Sequence, residues 1–365
     1  MYNYGKKVLS LTILFAFCIP VSLFSSDIAT RPQSVAPHGE VNMATTNEAT
    51  DNNFLLVDGS HINGNVLLIE FGGNLPVTVK TITKDAKFFN STSKGDFIYE
   101  NSLNKWLFGN VKKPELAVEI PSVLEKVTFA ALSPNGEMMV SCLEQGGISS
   151  LVLGNMKTGL QRKLISESGV IRAPSWSPKS NSIAYYYGPS NVQVTDEFTL
   201  KLATLAGETK QLAASSQPTG ITADRADPPQ WSPDGVSILF VANYESDYLV
   251  RSYAYSVRTD GTGLKRVGGG VWSADGTHLL SVRSTKPPFG SFVLSVLNLS
   301  TGVSSDINIE NDLPMSASNG RWKSDGKLFA FITNENELYV VDVRKRQKSK
   351  LVDLSSEGSN LIWIE

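Results

Sequence analysis

Short apolar runs separated by polar turns recur along most of the chain, and their spacing follows a long period. The segments PSWSPKSNSIAYY from Pro174, PQWSPDGVSILFV from Pro229, GVWSADGTHLLSV from Gly270 and GRWKSDGKLFAFI from Gly320 share one pattern. A fifth, AALSPNGEMMVSC from Ala130, has Leu132 where the others have tryptophan. The anchors Leu132, Trp176, Trp231, Trp272 and Trp322 stand 44, 55, 41 and 50 residues apart. Repeats of this length indicate a propeller or a solenoid. Each segment reads as a strand ending at the anchor, a tight turn, and a second strand starting two residues past the glycine. In the second copy the turn is Ser232-Pro233-Asp234-Gly235. Proline fixes φ early in such a turn, aspartate accepts backbone N–H groups and glycine takes a left-handed conformation. Asn135-Gly136, Asp275-Gly276 and Asp325-Gly326 repeat that chemistry. Lys179-Ser180-Asn181 departs from it, leaving Asn181 to supply the local bond.

Third and fourth strands follow. After ILFVA come LVRSYAYSV, the turn TDGTG and LKRV; after FAFIT come ELYVVDV, the turn region RKRQ and KLVDL. Alternating runs between polar turns specify antiparallel meanders rather than helices. Upstream, AKFFNSTSKG, DFIYEN, NKWLFGNV and ELAVEI form a degenerate unit from Ala86 to Ile120. Before it FLLVDG, NVLLIEF and VTVKTI supply only three strands, while NLIWIE at the other end carries Trp363, 41 residues past Trp322. The expected fold is therefore an all-β propeller over residues 54–365 with seven four-stranded antiparallel blades. The C-terminal strand completes the first blade, and closure removes exposed sheet edges. Six blades is the alternative.

The segment Trp231 to Gly235, with Ile238 and Phe240, resembles the blade motif of TolB-type, WD-repeat-like β-propellers. Trp272–Gly276 departs from that motif at Ala274, and Trp322–Gly326 at Lys323 and Ser324. The resemblance implies the propeller fold. It says little about function, since related propellers serve as periplasmic scaffolds, surface proteins, peptidase accessory domains and lyases. The separate N-terminal domain of TolB is not expected, because a short polar leader precedes the blades.

The ends of the chain read differently. Lys6 and Lys7 precede the apolar run Val8–Phe24, and SSDIATRPQS follows. Residues 1–26 read as a secretory signal, with cleavage expected near Ser25 or Ser26 and a retained anchor as the alternative. The run contains Ser10, Thr12, Pro20 and Ser22 and is short for a span. Residues 27–53, rich in Ser, Thr, Pro, Ala and Asn, read as a flexible leader. A periplasmic or secreted protein with no stable membrane span after signal cleavage is expected. Of two cysteines, Cys18 lies in the signal, so Cys142 is expected as a buried structural thiol.

Hydrophobic residues are 41% and charged residues 19% of the 365, an ordinary folded composition. With 33 Lys and Arg against 35 Asp and Glu, the net charge of -2 speaks against a nucleic-acid partner. Three histidines, His38, His61 and His278, cannot form a His-rich metal cluster. Neither a nucleophile elbow nor a P-loop is present. No catalytic residue, metal or cofactor is expected, although a calcium site built from oxygen ligands remains open. Gly268, Gly269 and Gly270 lead straight into a strand and read as close backbone approach. The repeated Asp234, Asp275 and Asp325 read as turn residues. Trp176, Trp231, Trp272, Trp322 and Trp363 read as packing between blades. Asn90-Ser91-Thr92 and Asn298-Leu299-Ser300 match the glycosylation acceptor pattern.

A meander also predicts two unlike sides. First-to-second and third-to-fourth turns leave on one side and are short here, as in SPDG, TDGTG and LSTG. Second-to-third turns and interblade links leave on the other. They vary: YYGPSNVQVTDE from Tyr186, ASSQPTGITADRAD from Ala214, NYESDY from Asn243 and STKPPFG from Ser284. These bring Tyr187, Asp224, Arg225, Asp227, Tyr244, Tyr248 and Phe289 toward one face. Loops on a rigid frame suit recognition, and Tyr and Arg suit a protein surface. The leading expectation is an exported, non-enzymatic scaffold for a protein or peptide partner in the cell envelope or outside the cell. The alternative is a carbohydrate-active lyase or hydrolase using Asp224, Asp227 and Arg225.

Overall fold

The computed structural model describes residues 52–58, 64–72, 75–120, 127–188, 198–213, 228–246, 249–267, 270–273, 275–284, 292–307, 320–333, 335–354 and 360–365. Seven sheets of four antiparallel strands form the blades. Blades 2 to 7 follow chain order over 86–119, 127–168, 170–213, 230–267, 271–307 and 321–353. Blade 1 joins both ends of the chain. Asn53–Asp58 pairs on one side with Val66–Gly72 and on the other with Asn360–Ile364, in the register Leu55↔Trp363 and Val57↔Leu361. Seven blades closed by the C-terminal strand is thus the architecture, and the six-blade alternative falls.

The core is divided among the seams. Leu55, Val57, Ile69, Leu361 and Trp363 of blade 1 pack with Ala330, Ile332, Leu338 and Val340 of blade 7. Leu56, Val66, Ile82 and Ile364 pack with Ala86, Phe89 and Phe97 of blade 2. Comparable clusters fill the other five seams. This follows from strand alternation, which sends successive apolar side chains to opposite faces of a blade covered on both sides. Cys142, 1% exposed, lies in the seam between blades 3 and 4, where burial pushes its thiol up to about 12. It is inert at neutral pH.

The anchor tryptophans add a polar link to this packing. Trp176 Nε1–H donates to the Ala131 carbonyl at 3.0 Å, Trp231 to Ser175 at 3.2 Å, Trp272 to Gln230 at 3.2 Å and Trp363 to Arg321 at 3.1 Å. Each acceptor immediately precedes the anchor of the preceding blade, so one bond recurs around the ring. Trp322 breaks the series: among the described residues its buried Nε1 has no partner. At the junction of blades 2 and 3, where leucine replaces tryptophan, Asn90 Oδ1 accepts from the Leu132 N–H at 2.9 Å. The Asn90 side chain is therefore committed to the seam. Asn298, the other acceptor-pattern asparagine, caps its own turn through Ser300 N and Thr301 N at 3.0 Å each.

The repeated turns follow their chemistry. Asp275 Oδ1 accepts from Ser273 Oγ at 2.6 Å and from Thr277 N at 3.0 Å, while His278 N donates to Ser273 Oγ. Asn135 accepts from Ser133 Oγ in the same way, and Asn181 from Ser177 Oγ at 2.8 Å. The Ser273 hydroxyl, and then the Thr277 N–H, lower the Asp275 carboxyl to about 2. A carboxyl depressed in the folded state adds stability above its unfolded value and loses it as pH falls toward the folded value. The stability difference between wild type and Asp275→Asn is therefore expected to change between about pH 4 and pH 2 and stay flat above pH 5. Thermal unfolding at a series of pH values measures it; a constant difference across that window would contradict the turn's electrostatics.

Two segments depart from expectation. ELAVEI is not a full strand: Pro114–Leu116 forms a 3-10 turn and only Val118–Glu119 pairs. Proline favours the start of such a turn and donates nothing to a ladder. NYESDY is not wholly a loop, since Asn243–Ser246 continue the strand Ser237–Ser246 in register with Leu249–Ser252. No Gly or Pro interrupts either run, so the ladder extends to Ser246↔Leu249. Among the described residues no helix is long and apolar enough to cross a membrane.

Candidate binding face

Strand direction sets the two sides of the ring. Turns such as Ser232–Val236 and Thr259–Leu264 leave on the regular side. The second-to-third connections and interblade links leave opposite, on the variable side.

Among the described residues the hairpin of blade 5 has the longest paired strands on the variable side. Ser237–Ser246 and Leu249–Arg258 pair over ten residues each. Second and third strands of the other blades have five to eight residues. At 3.2–3.4 Å per residue the hairpin stands about 7–17 Å taller. Tyr244, opposite Arg251, lies in its outer part.

The best-defined side chains on that side lie where blade 4 meets blade 3. Tyr185 and Tyr187 are alternate residues of Ser182–Gly188, Lys201 pairs in register with Tyr185 from Thr199–Thr204, and Glu167 is the penultimate residue of the outer strand Gln161–Ser168 of blade 3. Tyr185 Oη donates to Glu167 Oε1 at 2.7 Å, and Lys201 Nζ donates to Glu167 Oε2. Lys201 Nζ also lies 3.9 Å from the centre of the Tyr187 ring. That contact is a cation–π arrangement. Tyr187 Oη donates to the Ser168 carbonyl at 2.7 Å.

Gly169 makes this closure possible. With φ +149, its absent Cβ would stand 2.3 Å from the Gly188 carbonyl oxygen and 2.9 Å from the Tyr187 ring. Any side chain there collides with backbone.

Burial, then the Glu167 hydrogen bond and charge, raise Tyr185 well above the ordinary phenol range. It remains a donor at neutral pH rather than a base. The Lys201 and Glu167 side chains are 19% and 17% exposed and are committed to one another. The cluster locks two blades together beneath the variable side.

Of the residues singled out in the sequence, Tyr187 is placed in this cluster and Tyr244 on the hairpin. Asp224, Arg225, Asp227, Tyr248 and Phe289 lie outside the described residues. Glu167, Lys201 and Tyr185 carry no motif. Only the alternation of Tyr185 with Tyr187 hints at a shared face, and the partner across the seam depends on register between blades. Among the described residues no group of three His, Cys, Asp or Glu is placed to hold a metal ion.

No family model matches the sequence, and no curated protein matches it. Solved structures do share its fold. An oligogalacturonate lyase from Vibrio parahaemolyticus is similar with a TM-score of 0.59 and 13% identity, over 84% of this chain and 87% of that one. An oligogalacturonate lyase in complex with manganese gives a TM-score of 0.58 and 12% identity over the same shares. TolB from Acinetobacter baumannii gives 0.45 and 14%, over 86% of this chain and 66% of that one. At these identities the similarity to the two lyases is one of fold.

Proposed function

We propose that this chain is an exported β-propeller that binds a protein or peptide through its variable side. The observation that carries the reading is the blade 5 hairpin, whose ten-residue strands are longer than the other described second and third strands, on a ring closed at both termini. A rigid frame lowers the ordering cost of presenting such an element. The signal-like start of the sequence supports export.

The test is capture of a partner from envelope and secreted extracts. Arg225→Ala with Tyr244→Ala is expected to weaken binding at least tenfold, with the unfolding transition unchanged. Binding that survives changes across all four variable segments would overturn the reading.

A second reading draws on the fold shared with the two oligogalacturonate lyases. Asp224, Asp227 and Arg225 would then act at the mouth of the axial channel. A polysaccharide panel assayed with Ca²⁺ or Mn²⁺ separates the two, since turnover abolished by chelation would replace the binding proposal.

A further inference from the structure

The regular side has its own asymmetry. In blade 7, Lys323 and Lys327 occupy the first turn and Arg344, Lys345 and Arg346 the second. Val343 N donates to the Lys327 carbonyl at 2.9 Å, which ties the two turns together. In blade 2, Lys94 occupies the first turn and Lys112 and Lys113 the second, joined by the bond from Val111 N to the Gly95 carbonyl at 2.8 Å. Blade 1 lies between them. Its Asn53 Oδ1 accepts from Lys323 Nζ at 2.8 Å, its Glu365 side chain accepts from Ser324 Oγ, and Glu365 N donates to the Ser93 carbonyl at 2.6 Å. The turns of blades 7, 1 and 2 thus form one continuous sector.

Among the described residues the turns of that sector have eight basic residues against three acidic ones, Asp325, Glu115 and Glu365, and Asp342 at the end of the adjoining strand pairs with Lys345 at 3.7 Å. The regular-side turns of blades 3 to 6 have two basic residues, Lys157 and Lys179, against five acidic ones. A protein of net charge -2 therefore concentrates positive charge on one part of one face. Of the eight basic residues only Lys323 is partly buried; the other seven are exposed. Leu116, 62% exposed, stands among them beside Lys112 and Lys113.

The exposed basic residues here are spread over turns of separate blades. They offer an array rather than a groove, which suits a sheet of anionic headgroups better than a single polyanionic chain. The described chain enters the fold in this sector, at Asn52 and Asn53. We propose that the regular-side sector of blades 7, 1 and 2 docks on an anionic lipid surface. Docking there leaves the variable side facing away from the bilayer. The proposal does not depend on the partner-binding reading.

The test uses residues 27–365, which contain all seven closed sheets and lack the apolar run. Sedimentation with vesicles of phosphatidylcholine alone and of phosphatidylcholine with phosphatidylglycerol measures binding. Binding is expected only to the anionic vesicles, with release as salt rises from 50 to 500 mM, a range typical of screened surface charge. Arg344→Glu with Lys345→Glu and Arg346→Glu is expected to weaken it about a hundredfold or more. Lys157→Glu with Lys163→Glu and Lys179→Glu, the same charge change on blades 3 and 4, is expected to alter it less than threefold. Thermal unfolding confirms that both variants fold. Equal binding to the two vesicle types, equal loss in the two variants, or retention on soluble polygalacturonate without vesicle binding would each overturn the proposal.

Discussion

A chain ending at Ser359 is expected to lose its cooperative unfolding transition. The removed strand Asn360–Ile364 buries Leu361 and Trp363 in the seam with blade 7 and Ile364 in the seam with blade 2. Full burial of such side chains is worth roughly 1.5–3 kcal/mol each, or about 5–9 kcal/mol for the three. Whole domains are stable by only about 5–15 kcal/mol. Truncation also uncovers the edge of Asn53–Asp58, whose unpaired N–H and C=O groups invite association with other chains. The expected result is a sample with a broad or absent urea transition and concentration-dependent aggregation. The peptide NLIWIE added in trans should restore the transition, with a midpoint that rises with peptide concentration. A truncated chain that unfolds cooperatively within about 2 kcal/mol of the intact protein would show that closure contributes little.

The same strand shows what the sequence could and could not convey. A spacing of 41 residues between Trp322 and Trp363, with three strands at the other end, was enough to specify closure, because each blade is built locally by turn chemistry. The Ser-x-Asp-Gly turns write their own backbone bonds into consecutive residues. The hydrophobic alternation then sets which face each side chain takes. Long-range contacts across a seam have no such local record. Nothing in ISES or TLKLAT marks Glu167 as the acceptor for both Tyr185 and Lys201, since that meeting depends on how two blades register. The length of the blade 5 hairpin was hidden for a related reason. Asn, Glu and Ser in NYESDY have loop-like composition, yet an established ladder carries them along when no Gly or Pro stops it.

The anchor tryptophans allow packing and hydrogen bonding to be separated at the same repeat position. Trp176→Ala is expected to cost about 3–5 kcal/mol, because it removes a 7%-exposed side chain from the seam between blades 3 and 4. Trp176→Phe keeps part of the packing but removes the N–H that satisfies the Ala131 carbonyl. The buried-acceptor penalty for that loss is about 1–3 kcal/mol. Trp322 has the same 7% exposure and sits in the corresponding seam of blades 6 and 7, but its Nε1 has no partner among the described residues. Burying an unpartnered N–H is itself unfavourable, so its removal in Trp322→Phe offsets part of the packing loss. Trp322→Phe is therefore expected to be at least about 1 kcal/mol less destabilising than Trp176→Phe. Urea unfolding of the three variants measures the differences. If both Trp→Phe changes cost the same, the indole bonds contribute nothing and the seams are held by apolar contact alone. If the expected order holds, the junction of blades 6 and 7 is the one place in the tryptophan series where the ring is closed without its recurring polar link.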